Sequence, residues 1–167
     1  MTSRREFPAP LRIGQGFDIH RFSGDPGRPL VLGGVTVPGA PGLAGHSDAD
    51  VVAHAVAEAM LGAAGLGDLG RHFPASDPAW AGADSMGLLD RVSSMVGAQG
   101  MRLVNADCTV VCERPRLAEH TDDMTRTLQD LLGAPVSVKA KRAEGLGALG
   151  RVEGIACLAV VLLGFEG

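Results

Sequence analysis

The segment GIACLAVVLLG, residues 154–164, constrains the fold of this chain more than any other stretch. It is too short to cross a bilayer, which takes about 20 apolar residues in a helix. It suits a buried strand. Helices laid over one face of a sheet would leave the other face open, and an apolar strand there needs cover. The segment therefore predicts a sheet protein that assembles with copies of itself.

The chain has 167 residues and a net charge of −4. That length fits one domain with a real core, placed at 11–167. The lead-in MTSRREFPAP, residues 1–10, is basic but lacks the apolar stretch of a secretory signal, and is expected to be disordered. The acidic balance excludes a general nucleic-acid surface, and no segment reads as a membrane span. Cys108 and Cys112 sit four apart in one expected strand, about 13 Å from each other, so they cannot bridge or chelate one ion there. All three cysteines read as buried small hydrophobes in a reducing compartment, which places the chain in the cytoplasm.

The order of elements follows from period and punctuation. LRIGQGFDIH (11–20) reads as a strand, and LVLGGVTV (30–37) as a β-branched run able to pair with it as a hairpin. DADVVAHAVAEAMLGAAG (48–65) reads as a helix with Ser47 as N-cap and Asp50 closing a capping box. Residues 66–82 read as an irregular connection. A second helix starts at Asp84 or Ser85 and buries Leu88, Leu89, Val92, Met95 and Val96. Then come a strand (101–112), the turn ERPR, a helix over 117–132, a strand PVSVKAK, a loop AEGLGALGRVEG and the last strand. The sum is an α/β class, an α+β sandwich: helices on one face of a mixed sheet, with a small N-terminal hairpin.

Within the first strand, residues two apart share a face. Asp18 and His20 therefore stand together, Cβ atoms about 6–7 Å apart. That is long for a direct pair and about right for two groups reaching one metal. His54 lies two turns into the helix, flanked by Asp50 and Glu58, either of which could orient its imidazole. One oxygen and two nitrogens leave a fourth tetrahedral position open, the pattern of a catalytic Zn²⁺. His46 and Ser47 sit where that helix begins, a position suited to an anion; plain capping is the other reading of Ser47.

GFDIH, LGGV, HSDADVVAHAVAEAMLGAAGLGDLGRHFP, DPAWAGADS, ADCTVVCERPRL and GRVEGIAC, in order over residues 12–164, resemble the 2-C-methyl-D-erythritol 2,4-cyclodiphosphate synthase family. The resemblance implies a homotrimer with active sites between subunits. It implies conversion of 4-diphosphocytidyl-2-C-methyl-D-erythritol 2-phosphate to the cyclic diphosphate with release of CMP, in non-mevalonate isoprenoid synthesis. It implies that Asp18, His20 and His54 hold Zn²⁺ and that Glu144 holds Mg²⁺ or Mn²⁺. His46 and Ser47 match the phosphate-contacting loop, Asp68 the carboxylate on the methylerythritol hydroxyls, and Glu113, Arg114, Pro115, Arg116 and Leu117 the turn that receives cytidine. Arg151 and Glu153 match polar residues beside an axial cavity.

Three places depart from the family pattern, one of them Gln15, which stands for a frequent His outside the expected zinc shell. Lys141, Arg142 and Ala143 stand where the family has threonines before Glu144, and Ala148 where it often has Phe. Lys141 and Arg142 could bind the diphosphate by charge, or could pair with Glu144. The alternatives to the synthase are a trimeric zinc- and phosphate-binding homologue with weakened or altered catalysis, and an unrelated metallohydrolase using zinc-bound water.

Overall fold

The computed structural model describes residues 10–165. Apart from Pro10, the expected lead-in lies outside the described residues. Six strands and five short or long helices follow in the order β1 (Leu11–Arg21), β2 (Pro29–Leu32), β3 (Val35–Pro41), α1 (Val51–Ala64), α2 (Leu69–His72), α3 (Ser85–Gly97), β4 (Met101–Val111), α4 (Thr121–Leu132), β5 (Val136–Lys141), α5 (Gly147–Gly150) and β6 (Gly154–Phe165). The stretch 66–82, read as irregular, carries α2 and a 3₁₀ turn at Pro78–Trp80. The third long helix starts at Thr121, four residues later than expected, because 113–120 turns back before it.

The main sheet has the order β1-β6-β4-β5. The most apolar strand, β6, is thus paired on both sides. It runs antiparallel to β1 from Leu11↔Gly164 to Arg21↔Gly154, and antiparallel to β4. β4 and β5 run parallel, so the sheet is mixed as expected. LVLGGVTV is not a partner of β1. It folds on itself as the β2–β3 hairpin, because Gly33 and Gly34 adopt positive φ (56° and 74°), as a two-residue hairpin turn requires.

α1, α3 and α4 cover one face of the sheet. The closest approach is α1 on β1. A Cβ on Gly14 would lie 2.0 Å from the Ala59 carbonyl oxygen, and one on Gly16 1.9 Å from that of Ala55. The Gly-x-Gly of β1 and the Ala-rich helix are therefore two halves of one contact. Asp50, not Ser47, is the N-cap of α1: its carboxylate accepts from Val52 and Ala53 N–H. It also accepts from Gly33 and Gly34 N–H at 2.8 Å each, tying the hairpin to the helix. Burial pushes the Asp50 carboxyl up from its ordinary range, and these N–H groups pull against that rise.

The opposite face of the sheet is open. Ile13 is 74% exposed and Phe17 54%, with Ile19, Leu158 and Val160 beside them. Among the described residues no helix is long and apolar enough to cross a membrane.

Candidate metal centre

The alternation of β1 turns Gly14 and Gly16 toward α1 and carries Asp18 and His20 to the same side at the strand's end. There α1 presents His54. One ligating atom from each of Asp18, His20 and His54 lies within 4.8 Å of the others. The two β1 residues are closer than strand geometry suggests: His20 Nε2 is 3.2 Å from Asp18 Oδ2, and His54 Nδ1 is 2.9 Å from the same oxygen.

The tautomers follow from the outer partners. His20 Nδ1 lies 2.6 Å from the Ala44 carbonyl, which only accepts, so Nδ1 carries the hydrogen and Nε2 faces Asp18. Ser85 Oγ donates its one hydrogen to Asp48, so it accepts from His54 Nε2 at 2.8 Å. His54 Nδ1 then turns its lone pair toward Asp18. Three electron-rich atoms converge, an arrangement that only protons or a cation can balance. The donor set fits a nitrogen-rich divalent metal site.

The same balance appears in the ionisation of the groups. Where protons rather than a cation sit between the groups, burial opposes the charge on Asp18, but the hydrogen bonds then donated by His20 and His54 outweigh it and hold the carboxyl well below its usual range. The hydrogen bond to Asp18 raises His20 above its ordinary 6.5, against the opposing effects of burial and of the Arg28 charge.

Neither Asp50 nor Glu58 orients His54. Asp50 is spent on backbone N–H groups, and Glu58 accepts from Leu69 N–H at 3.0 Å. Ser85 and Asp48 take that role. Ser85 had been legible only as a helix-start residue; its contact across 31 positions carries no local sequence signal.

The triad opens on a cavity of about 210 Å³. His46 and Ser47 line it. The N–H groups at the start of α1 are not free for an anion, since Asp50 holds them. Ser47 Oγ accepts from Ala49 N–H, and Arg28 donates to the Ser47 carbonyl, pinning the segment. The far wall is apolar, built by Leu69, Phe73, Trp80 and Leu88. Phe73 and Trp80 meet edge to face at 5.0 Å. Leu69, Phe73 and Trp80 come from the stretch read as irregular, and Leu88 from the helix that follows it. Asp68 caps α2 through Arg71 N–H at 2.8 Å and stands at the edge of this wall.

The remaining predicted residues gather elsewhere. β1, β4 and β5 point the same way, so their C-terminal ends share one end of the sheet. Beyond β4, Glu113, Arg114, Pro115 and Arg116 line a cavity of about 390 Å³ together with Arg142 from beyond β5. Lys141 and Leu117 line an adjoining one of about 230 Å³. Arg142 pairs with Glu113 rather than Glu144. Glu144 is exposed and left-handed (φ 52°), an uncommon conformation for a residue with a Cβ. Arg151 pairs with Glu153 at 2.6 Å on the surface. The three cysteines are free and buried, as expected.

Known proteins share this sequence and fold. The YgbB family model matches residues 11–164. The 2-C-methyl-D-erythritol 2,4-cyclodiphosphate synthase of Geobacillus kaustophilus is 54% identical over 156 residues, covering 92% of this chain and 98% of that protein. Its namesake in Symbiobacterium thermophilum is 53% identical over the same shares. Among solved structures, the bifunctional IspDF of Campylobacter jejuni superposes with a TM-score of 0.90 at 38% identity, over 95% of this chain and 43% of that one. The CDP complex of IspF from Plasmodium falciparum superposes at 0.82 and 28% identity, over 96% of this chain and all (100%) of that one. With the family model matched from the first strand to the last, the triad included, the chain belongs to the YgbB family, that of the 2-C-methyl-D-erythritol 2,4-cyclodiphosphate synthases.

Proposed function

We propose that this chain is a phosphorus-oxygen lyase. It closes 4-diphosphocytidyl-2-C-methyl-D-erythritol 2-phosphate to 2-C-methyl-D-erythritol 2,4-cyclodiphosphate and releases CMP, in non-mevalonate isoprenoid synthesis. The observation that carries the reading is the convergence of Asp18, His20 and His54 on one cavity, with both imidazoles turned to offer a lone pair.

In this reading Asp18, His20 and His54 hold Zn²⁺, and Glu144 holds Mg²⁺ or Mn²⁺. When bound, such ions neutralise phosphate oxygens and hold nucleophile and leaving group in line. The attacking 2-phosphate is already anionic, so no residue need act as general base. His46 and Ser47 position phosphate at the cavity mouth. Asp68 holds the methylerythritol hydroxyls. The wall of Leu69, Phe73 and Trp80 takes the carbon skeleton and keeps water from the diphosphate. The turn 113–117 receives cytidine, with Lys141 supplying charge to the diphosphate.

The two cavities argue for a homotrimer. The triad lies at the β1 edge of the sheet and the nucleotide turn at the β4–β5 edge. Three strand spacings, about 14 Å, separate these edges. A substrate that must touch both is served when the β1 edge of one subunit meets the β5 edge of the next. The open apolar face of β1 and β6 supplies the surface for that assembly. Such a trimer would be a single-domain (11–167), cytoplasmic enzyme.

The test is one assay: purified protein with Zn²⁺, Mg²⁺ and the cytidine-diphospho substrate, followed by ³¹P NMR. Cyclic diphosphate plus CMP, abolished by a chelator, is the expected result. Inorganic phosphate with water incorporation would replace the synthase by a hydrolase. Binding without turnover would replace it by the binding homologue.

A further inference from the structure

Glu113 and Arg142 join two segments that the sheet leaves apart. β4 and β5 run side by side to Val111↔Lys141, and Cys112 N–H still reaches the Lys141 carbonyl at 2.9 Å. Beyond that bond the chains diverge into the turn 113–117 and the loop 142–145. Across the gap, Arg142 Nε donates to Glu113 Oε1 at 3.0 Å, and Nη2 donates to the same oxygen. Gly145 N–H donates to Glu113 Oε2 at 3.5 Å. One carboxylate thus holds both the side chain before Glu144 and the backbone after it.

The charges around the cavities sharpen the point. Arg114, Arg116 and Lys141 line them, and among the described residues none of these three pairs with a carboxylate. Glu113 is the one acidic side chain in either lining. Left alone it would repel an anionic ligand; Arg142 cancels its charge. Glu113 is the anchored end, with 10% of its side chain exposed against 59% for Arg142. Arg142 holds the Glu113 carboxyl below its ordinary range.

We propose that Glu113 and Arg142 are positioning residues: a clasp that keeps the 113–117 turn in register with the Glu144 loop and so sets affinity for the nucleoside diphosphate end of the substrate. Arg142 acts through Glu113 and does not contact phosphate. The proposal rests on the function proposed above.

The experiment measures CDP binding by calorimetry, and steady-state kinetics, on the intact protein and on Arg142→Glu, Glu113→Arg and the exchanged pair Glu113→Arg/Arg142→Glu. Each single reversal should weaken CDP binding about tenfold, equivalent to about 1.4 kcal/mol. The exchanged pair should return it to within about threefold of the unchanged protein, because the clasp is rebuilt with its ends reversed. KM should follow the CDP affinity, with kcat changing by less than about threefold. An exchanged pair as weak as Arg142→Glu would overturn the clasp in favour of direct phosphate contact. Single reversals within about twofold of the unchanged protein would overturn it outright. If a reversed chain fails to fold, Glu113→Gln replaces it: weaker CDP binding despite removal of a negative charge supports the clasp, and unchanged or tighter binding overturns it. Absence of turnover in an unchanged protein that binds CDP would refute the synthase and leave the clasp measurable; absence of CDP binding there would overturn both.

Discussion

Replacing Ser85 by alanine should weaken metal binding without touching a metal ligand. Ser85 is 1% exposed, so water cannot take the place of its hydroxyl. Its Oγ accepts the His54 Nε2 hydrogen at 2.8 Å and passes its own hydrogen to Asp48. In Ser85→Ala the Nε2–H keeps only Ser47 Oγ, at 3.3 Å. The Asp48 carboxylate loses its hydroxyl donor and retains the Ser85 backbone N–H at 3.2 Å. Loss of such an outer partner costs about 10- to 100-fold in metal affinity, or about 1.4–2.7 kcal/mol. A competition titration of Zn²⁺ against a chromophoric chelator reads this directly. The melting temperature of the metal-free protein should fall much less than that of the loaded protein, since the metal supplies part of the loaded stability. A Zn²⁺ affinity within about twofold of the unchanged protein, in a folded Ser85→Ala chain, would refute the tautomer argument.

Three further outcomes follow from the geometry. The His20 value is raised above 6.5, so in metal-free protein the Asp18–His20 pair stabilises fully below that pH and loses its contribution as pH rises through the raised value; loaded protein should show the opposite trend, because Zn²⁺ must displace that proton, and melts from about pH 6 to about pH 9 with and without Zn²⁺ should diverge. Parallel slopes would contradict the pairing. Gly16→Ala puts a Cβ 1.9 Å from the Ala55 carbonyl oxygen, which should cost about 3 kcal/mol or more and lower the melting temperature by roughly 6–12 °C; a change under about 2 °C would show that α1 can lift from β1 freely. Phe17→Asp places a charge on the open apolar face, and should leave monomers by light scattering where the unchanged protein gives the proposed trimer, and abolish turnover; an intact, active trimer would place the interface elsewhere.

Local chemistry made much of this legible in advance. The period of β1 put Asp18 and His20 on one face, and the side-by-side carboxylate and imidazole survive folding because strand alternation is a backbone property. The apolar run of β6 announced a strand that needs cover, and the structure pairs it on both sides while leaving Leu158 and Val160 on the open face. The GFDIH and HSDADVVAH blocks together named the candidate metal-site residues by resemblance, and the structure brings them together. The errors share a different cause. Asp50 displaced Ser47 as cap because a hairpin distant in sequence needed its second oxygen. LVLGGVTV closed on itself because two glycines could take positive φ, leaving β1 to a partner at the far end of the chain.

What the residues determined alone was therefore the set of elements, the faces they present and the chemical types available to a metal. Those depend on backbone period and side-chain identity, which act over a few positions. The tertiary structure decided which hydrogen each imidazole carries, through Ala44 and Ser85, and which carboxylate Arg142 meets. It also placed the triad at the β1 edge of the sheet and the 113–117 turn toward the β5 edge. Those outcomes hang on contacts between segments many residues apart, and a hydrogen bond is settled by where its partner arrives in space rather than by its neighbours along the chain.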